Sequence, residues 1–294
     1  MPEALAKILE KAVEHHRRGA LDAATQLYRL VLQVHPDHPE ALHLLGVVRQ
    51  QQGKPQEAIR LIHRALAIRP DNPVYLLNLG EALYNAGEYD AAATTLQRAL
   101  ALGAVSASAW NRLGLIAHKY RHDREKARRA YAAALAENHD HIPTLNNLGL
   151  LLLADGCYDE AAILFQRVTT LDPCHAGAYC NLALTNQHRG RDAEALADFR
   201  RALALDADRP GVRRQYIRLL QNTCSWKELE EELQRLARRT NRELAAEKIP
   251  EESPFLHLTR SFSSRQNLAV AQAWSRQLRA TNLNPDRSPF HAHD

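Results

Sequence analysis

The sequence is poor in the residues that build strands and β-hairpins. Its 294 residues include only 12 glycines, 5 phenylalanines and 3 tryptophans, with no Asn-Gly turn and no alternating β-branched run. Strands favour β-branched and aromatic residues and tight hairpins favour Asn-Gly, so a β-rich domain is excluded. Alanine, leucine, arginine and glutamate dominate instead, which predicts an all-α fold.

Cysteine and long apolar runs are scarce as well. The four cysteines (Cys157, Cys174, Cys180 and Cys224) form no CxxC pair and show no disulfide spacing, which suggests a reducing compartment. The N-terminus, MPEALAKILEKAVEHH, is charged and amphipathic, unlike a signal peptide. The longest apolar run, residues 148–154, is far shorter than the roughly 20 residues of a membrane span. We therefore expect a cytoplasmic protein without a membrane partner.

No charge of one sign prevails. The 38 basic and 34 acidic residues give a formal charge of +4, which does not demand nucleic acid as a partner. The one basic concentration has two interpretations: solvated helix faces and helix C-termini, which we favour, or a surface for an acidic partner. It comprises Arg189, Arg191, Arg200, Arg201, Arg209, Arg213, Arg214 and Arg218.

The chain does have an internal repeat. Residues 39–72, 73–106, 142–175 and 176–209 are copies of 34 residues each, residues 107–141 form a 35-residue copy with one residue inserted near Arg121 to Arg124, and residues 5–38 form a weaker one. Each copy reads as two amphipathic helices joined by a turn. Such a hairpin cannot bury its apolar faces alone, so the copies should stack.

Aligned copies share three packing positions. Small residues at places 8 and 20 should let the two helices of a hairpin approach, and the large residue at place 24 should fill the gap between them. Place 8 holds Ala12, Gly46, Gly80, Gly114, Gly149 and Ala183; place 20 is always alanine; place 24 holds Tyr28, Ile62, Leu96, Tyr131, Phe165 and Phe199.

This pattern resembles the tetratricopeptide family over residues 5–209. The resemblance implies a right-handed superhelix (solenoid) of six repeats. A pentatricopeptide RNA reader is the neighbouring alternative, but the Leu-Gly pairs at places 7 and 8 and the closing prolines argue against it, so no nucleic acid is expected.

Leu229, Leu233 and Leu236 mark residues 210–243 as a degenerate seventh repeat. Residues 244–294 should be a loop-rich linker segment with a short helix at 268–278.

A polar row on the first helices suggests a binding site for extended polypeptide. Asparagine is a poor helix former, and its amide can bind a peptide backbone without regard to sequence. The alternatives are solvated polar residues or intramolecular hydrogen bonds, and Glu10 and Leu44 break the row in the first two repeats. The candidate peptide-binding residues are Asn78, Arg112, Asn147 and Asn181 at place 6, with Asn111 and Asn146 at place 5.

The sequence offers no catalytic residues, and we expect neither a cofactor nor a metal. It has no glycine-rich phosphate loop after a strand and no nucleophile elbow. The tightest histidine groups, residues 139–141 and 291–294, lack a closed ligand set of structural zinc type. A clamp for a carboxylate tail would need bases at places 2 and 5, where Ser108 and His43 stand.

A second resemblance covers residues 178–206 and the stretch from Thr223. They are similar to the junction region of the O-linked N-acetylglucosamine transferase / SPINDLY family, with Cys224-Ser225-Trp226 in place of Cys-Asp-Trp and Ile249-Pro250 in place of Leu-Pro. The resemblance implies the substrate-recognition arm of a glycosyltransferase. We expect this chain to bind without catalysis, meeting a sugar nucleotide only through an absent domain. The alternative is a free-standing assembly scaffold.

Overall fold

The structure is a computed structural model that describes residues 3–209, 211–250 and 264–282. It forms two compact units, Met1–Leu151 and Leu152–Asp294. The described residues form fifteen α-helices and one π-helical turn, and they contain no strand. The prediction of an all-α fold is confirmed for these residues.

In the first unit the helices alternate as the repeat predicts, and each helix up to residue 137 packs on its neighbour along the chain. Its helices are α1 (Glu3–Arg17), α2 (Leu21–Val34), α3 (Pro39–Gln51), α4 (Pro55–Ile68), α5 (Pro73–Asn85), α6 (Tyr89–Ala101), α7 (Ala107–Leu115), α8 (Arg124–Glu137) and α9 (Ile142–Ala154), the last of which ends just inside the second unit. The second unit continues with α10 (Tyr158–Leu171), α11 (Ala176–His188), α12 (Asp192–Leu205), α13 (Val212–Asn222), α14 (Trp226–Ala245) and α15 (Ser264–Asn282).

Local chemistry sets the helix ends. At α5, Pro73 occupies the first turn, where its missing N–H costs nothing, and the Asn72 side chain accepts hydrogen bonds from the Val74 and Tyr75 amides. The turn to α6 then needs a left-handed residue, which Gly87 supplies with φ +82°. A left-handed residue recurs at this turn in the other hairpins, which helps to make the repeat visible in the sequence.

The predicted contact between places 8 and 24 is present in the first unit. A Cβ atom added at Gly46 would lie 2.7 Å from Ile62 Cγ1, and one added at Gly80 would lie 2.5 Å from Leu96 Cγ. At Gly114 an added Cβ would overlap the Tyr131 ring. The helices therefore approach so closely that the glycine surface is filled by the large residue of the partner helix.

The fourth repeat absorbs its extra residue inside the first helix, not in the turn at Arg121 to Arg124 where we expected it. Residues Ile116–Tyr120 form a π-helical turn, in which the Arg121 amide donates to the Ile116 carbonyl at 3.2 Å. Such turns accommodate one additional residue without ending the helix. His122 then adopts φ +53° at the turn where the first, second, third, fifth and sixth hairpins use glycine.

An arginine at place 26 ties three hairpins to the closing turn of the hairpin before. Arg64 Nη2 donates to the Pro36 carbonyl at 2.8 Å, and Arg98 Nη2 donates to the Pro70 carbonyl at 3.2 Å. Arg98 also pairs with Asp71 at 2.7 Å. In the second unit Arg201 reaches its closing proline in the same way. We call this contact the arginine latch; it spans the mouth of the groove between two hairpins.

The stretch predicted to be a degenerate seventh repeat contains α13 and α14, which pack on each other. Leu229 and Leu236 are buried and Leu233 is half-buried. The helix expected at 268–278 is longer, running as α15 from Ser264 to Asn282 and burying Val270 and Ala273. The rest of the predicted linker, 251–263 and 283–294, lies outside the described residues. No described helix combines the length and the apolar character that a bilayer crossing requires.

Candidate polypeptide-binding surface

The candidate site in the first unit is one face of its first helices. We call it the ladder face: the side chains at places 5, 6 and 9 of α3, α5, α7 and α9. Its place-6 side chains, Leu44, Asn78, Arg112 and Asn147, are all half-buried. In each pair of neighbouring hairpins, a side chain at place 5 or 9 of the first contacts the side chain at place 6 of the second. Four of the six predicted residues take part in these contacts: Asn78, Asn111, Arg112 and Asn147.

Asn78 is oriented by a histidine of the preceding hairpin. Its Nδ2 lies 2.7 Å from His43 Nε2, and the His43 ring stacks on Tyr75 with centroids 4.3 Å apart. Burial lowers the pKa of His43 to about 4, so the ring is neutral at physiological pH and its Nε2 accepts from the amide. A neutral His43 also cannot supply the cation that a carboxylate clamp would need.

Arg112 is held in the same way. Its Nη2 and Nε donate to the Glu81 carboxylate at 2.8 and 3.1 Å, in a two-point contact that fixes the plane of the guanidinium. That plane lies over the Tyr84 ring, with Cζ 4.2 Å from the ring centroid. The arginine is therefore a fixed element of the ladder face.

Asn147 is positioned by Asn111. The Asn147 amide donates to Asn111 Oδ1 at 3.0 Å, and Asn111 is only 6% exposed. Asn111 was a predicted peptide contact, but its burial gives it a positioning role. The amides of Asn78 and Asn147 thus each make one hydrogen bond within the chain, as the alternative interpretation predicts. Both side chains nevertheless remain partly exposed to solvent.

Of the two remaining predicted residues, Asn146 lies on the ladder face at place 5 and Asn181 lies in the second unit. Asn146 is half-buried on α9 in the first unit, and Asn181 is half-buried on α11 in the second, where its backbone carbonyl accepts the Thr185 hydroxyl at 2.7 Å. Sequence reasoning missed His43 as a positioning residue, together with Glu81 and Tyr84. The indication in the sequence is that each of them lies about one repeat before the residue that it orients.

Four of the eight arginines of the basic concentration form ion pairs with carboxylates of the second unit. Arg189 contacts Asp159 at 2.8 Å and Arg200 contacts Glu228 at 2.7 Å. Arg213 and Glu232 form a buried pair. Nearby, desolvation raises the pKa of Asp198 to about 6 even though Asn186 donates to it at 3.0 Å. These pairs favour the structural interpretation of the cluster over an acidic-partner surface.

The predicted histidine group 139–141 is engaged in local contacts. His139 Nε2 lies 3.1 Å from Asp140, and His141 Nδ1 lies 2.6 Å from the Thr144 hydroxyl. No group of three His, Cys, Asp or Glu side chains suited to a metal ion occurs in the described part of the chain. The second group, 291–294, lies outside it.

Comparison with known proteins bears on the repeat. One family model described as Tetratricopeptide repeat matches residues 9–73, 116–173 and 146–210, and another of the same description matches 49–114. No curated protein matches the chain.

Several solved structures share the fold. MamA is 25% identical, with a TM-score of 0.51 over 57% of this chain and 92% of that one. PilF of Pseudomonas aeruginosa is 20% identical, with a TM-score of 0.64 over 70% and 93%. YrrB, described as a TPR protein with an unusual peptide-binding site, is 19% identical, with a TM-score of 0.51 over 62% and 93%. Since the family models match more than half of the sequence and the hairpins have the expected packing, the chain belongs to the tetratricopeptide-repeat family.

Proposed function

We propose that this chain is a protein–protein interaction module whose first unit binds extended polypeptide on the ladder face. One observation carries the proposal: the place-6 side chains Asn78, Arg112 and Asn147 are each oriented by a residue of the preceding hairpin. Side chains that are already ordered lose little conformational entropy when they bind a ligand. A row of such groups, one per repeat, is suited to a chain lying across the hairpins.

The chemistry of the row suits a peptide backbone. A side-chain amide has two N–H donors and an acceptor, and the bond to His43 or to Asn111 uses one donor only. The remaining donor and the carbonyl complement a backbone C=O and N–H. Because these groups read no side chain, we expect weak sequence preference, with half-buried Val47 and Leu115 at place 9 offering apolar contact to the ligand.

The related structures support this proposal only through their fold. YrrB is described as having a peptide-binding site, and a shared tetratricopeptide architecture makes a similar use of this chain reasonable. A free-standing assembly scaffold would bind its partners on the same surface as the substrate-recognition arm of a glycosyltransferase. One binding experiment therefore tests both forms of the proposal.

We expect the double variant Asn78→Ala/Asn147→Ala to bind peptide roughly 30-fold more weakly than the parent chain, since each substitution should remove about 1 kcal/mol of net backbone hydrogen bonding. The measurement is fluorescence anisotropy with a labelled pool of twelve-residue peptides that carry no charged side chains. Gln166→Ala, an exposed amide on α10, is the matched control and should leave the affinity unchanged.

Stability must be followed in the same experiment. Asn147→Ala removes the described partner of the buried Asn111 carbonyl and should cost about 1–3 kcal/mol, so binding is measured well below the melting transition. Asn111→Leu in the Asn147→Ala background removes both polar groups and should restore stability without restoring affinity. Equal affinity of the double variant and the parent chain would refute the proposal.

The finer proposal concerns the origin of this binding module. The similarity of Cys224-Ser225-Trp226 and the following segment to the O-linked N-acetylglucosamine transferase / SPINDLY junction supports a glycosyltransferase substrate arm. In the structure Cys224 is left-handed and Trp226 begins α14. The genomic sequence downstream of Asp294 tests it: a frame that encodes a two-lobed transferase supports the proposal, and an unrelated gene counts against it.

A further inference from the structure

A second groove in the first unit lies between the third and fourth hairpins, away from the ladder face. Its volume is about 490 Å³, against about 240 Å³ for the equivalent groove between the second and third hairpins. Its walls come from α6, α7, the π-helical turn and α8, and its apolar floor includes Ala93, Leu113 and Ala130 beside the half-buried Trp110. We call it the α6–α8 groove.

The arginine latch is missing from the α6–α8 groove. Between the second and third hairpins, Arg98 reaches the Pro70 carbonyl and Asp71 across the mouth. Here place 26 is Ala133, and place 32 of the preceding repeat is Ala104 instead of proline. Ala104 still offers a backbone carbonyl, but Ala133 has no guanidinium to donate to it, so the position that Arg98 occupies in the smaller groove holds only a methyl group.

Basic residues surround this opening. Arg121, Lys126 and Arg129 line the groove, and the one acidic lining residue, Asp123, already accepts the Lys126 amide at the N-terminus of α8. Arg121 pairs with Asp90 at 2.5 Å, whereas Arg129 and Glu125 are 3.6 Å apart and both strongly exposed. An exposed pair of that kind is weak and is readily exchanged for another carboxylate.

We propose that the α6–α8 groove binds an acidic polypeptide segment that inserts a bulky apolar side chain beside Trp110. The apolar floor supplies contact area for the anchor, and Lys126 and Arg129 supply charge for flanking carboxylates. This partner differs from the ligand of the ladder face, where recognition needs no charge on the peptide. The two sites can therefore be tested separately on the intact chain.

The test uses two variants of the full chain. Val105→Asp/Ala133→Arg rebuilds the latch on the pattern of Asp71 and Arg98, which should close the groove. Lys126→Glu/Arg129→Glu keeps the groove open and reverses its charge. The probe is a labelled ten-residue peptide with a central Phe-Leu pair flanked by four aspartates on each side, and its partner control carries lysines in place of the aspartates.

We expect the acidic peptide to bind the parent chain at least tenfold more tightly than the basic one. Both variants should weaken acidic-peptide binding at least tenfold while keeping the parent's helical circular dichroism and its affinity for the uncharged peptide pool. Added salt should weaken the acidic peptide's binding, because the carboxylate contacts are exposed. Equal affinity for the two peptides, or undiminished binding to the rebuilt-latch variant, would overturn the proposal.

Discussion

Glu232→Ala is expected to lower the free energy of unfolding of the last hairpin by about 3–5 kcal/mol. The Glu232 side chain is 4% exposed and its partner Arg213 is 10% exposed. Removing the carboxylate leaves the Arg213 cation buried, with the Ala207 carbonyl at 3.2 Å as its remaining described acceptor. Urea denaturation followed by circular dichroism should show a lower midpoint for the transition that includes α13 and α14.

A double substitution separates two contributions to the free energy of unfolding: the cost of a buried, unpaired charge and the net contribution of the ion pair. Arg213→Met/Glu232→Leu removes both charges and keeps the volume, so it should be nearly neutral or stabilising. Arg191→Ala breaks an exposed pair, Arg191 and Glu194 at 3.5 Å, and should change stability by less than about 1 kcal/mol. If Glu232→Ala were as mild as Arg191→Ala, the pair would not be buried as described.

Leu96→Ala is expected to destabilise the first unit by about 2–5 kcal/mol, because Leu96 is fully buried and fills the space over Gly80. Gly80→Ala alone should cost about 1–3 kcal/mol, since its methyl group would lie 2.5 Å from Leu96 Cγ. That cost should exceed the gain of about 1 kcal/mol in helix propensity that alanine normally brings. Both values come from urea titrations of the full chain.

The two substitutions should not be additive. In Gly80→Ala/Leu96→Ala the added methyl group no longer meets Leu96 and partly fills the cavity, so the double variant should lose less stability than the sum of the singles. Gly87→Ala serves as the contrast. An added Cβ there meets nothing within 4 Å, so its cost of about 1–2 kcal/mol arises from φ +82° and should not depend on Leu96. If the stability losses of Gly80→Ala and Leu96→Ala were simply additive, direct packing of Leu96 on Gly80 would be contradicted.

The sequence was informative wherever a contact repeats with the hairpin. Glycine at place 8 and a large residue at place 24 recur in copy after copy, so aligning the copies is enough to predict the packing of Gly80 on Leu96. The left-handed turn at Gly87 was predictable for the same reason. The fold class follows from these local rules, because each hairpin packs mainly on its neighbours.

The site was only half predictable. Asparagines at place 6 are visible in an alignment of the copies, but the partners that orient them differ from repeat to repeat: a histidine for Asn78, an asparagine for Asn147 and a glutamate for Arg112. No shared residue type marks that role. The missing latch of the α6–α8 groove follows from Ala133 at place 26, and this substitution can be interpreted only after the arginine contact has been seen in the other hairpins.

The most direct test of polypeptide binding on the ladder face is photo-crosslinking from within it. A photoreactive p-benzoylphenylalanine replaces Leu115, at place 9 of α7, and in a second sample Ile163, a strongly exposed residue of α10. With the uncharged peptide pool, we expect crosslinks from position 115 that saturate with peptide concentration and that need roughly 30-fold more peptide in the Asn78→Ala/Asn147→Ala background. Equal crosslinking from positions 115 and 163, or an unchanged saturation curve in that background, would contradict polypeptide binding on the ladder face.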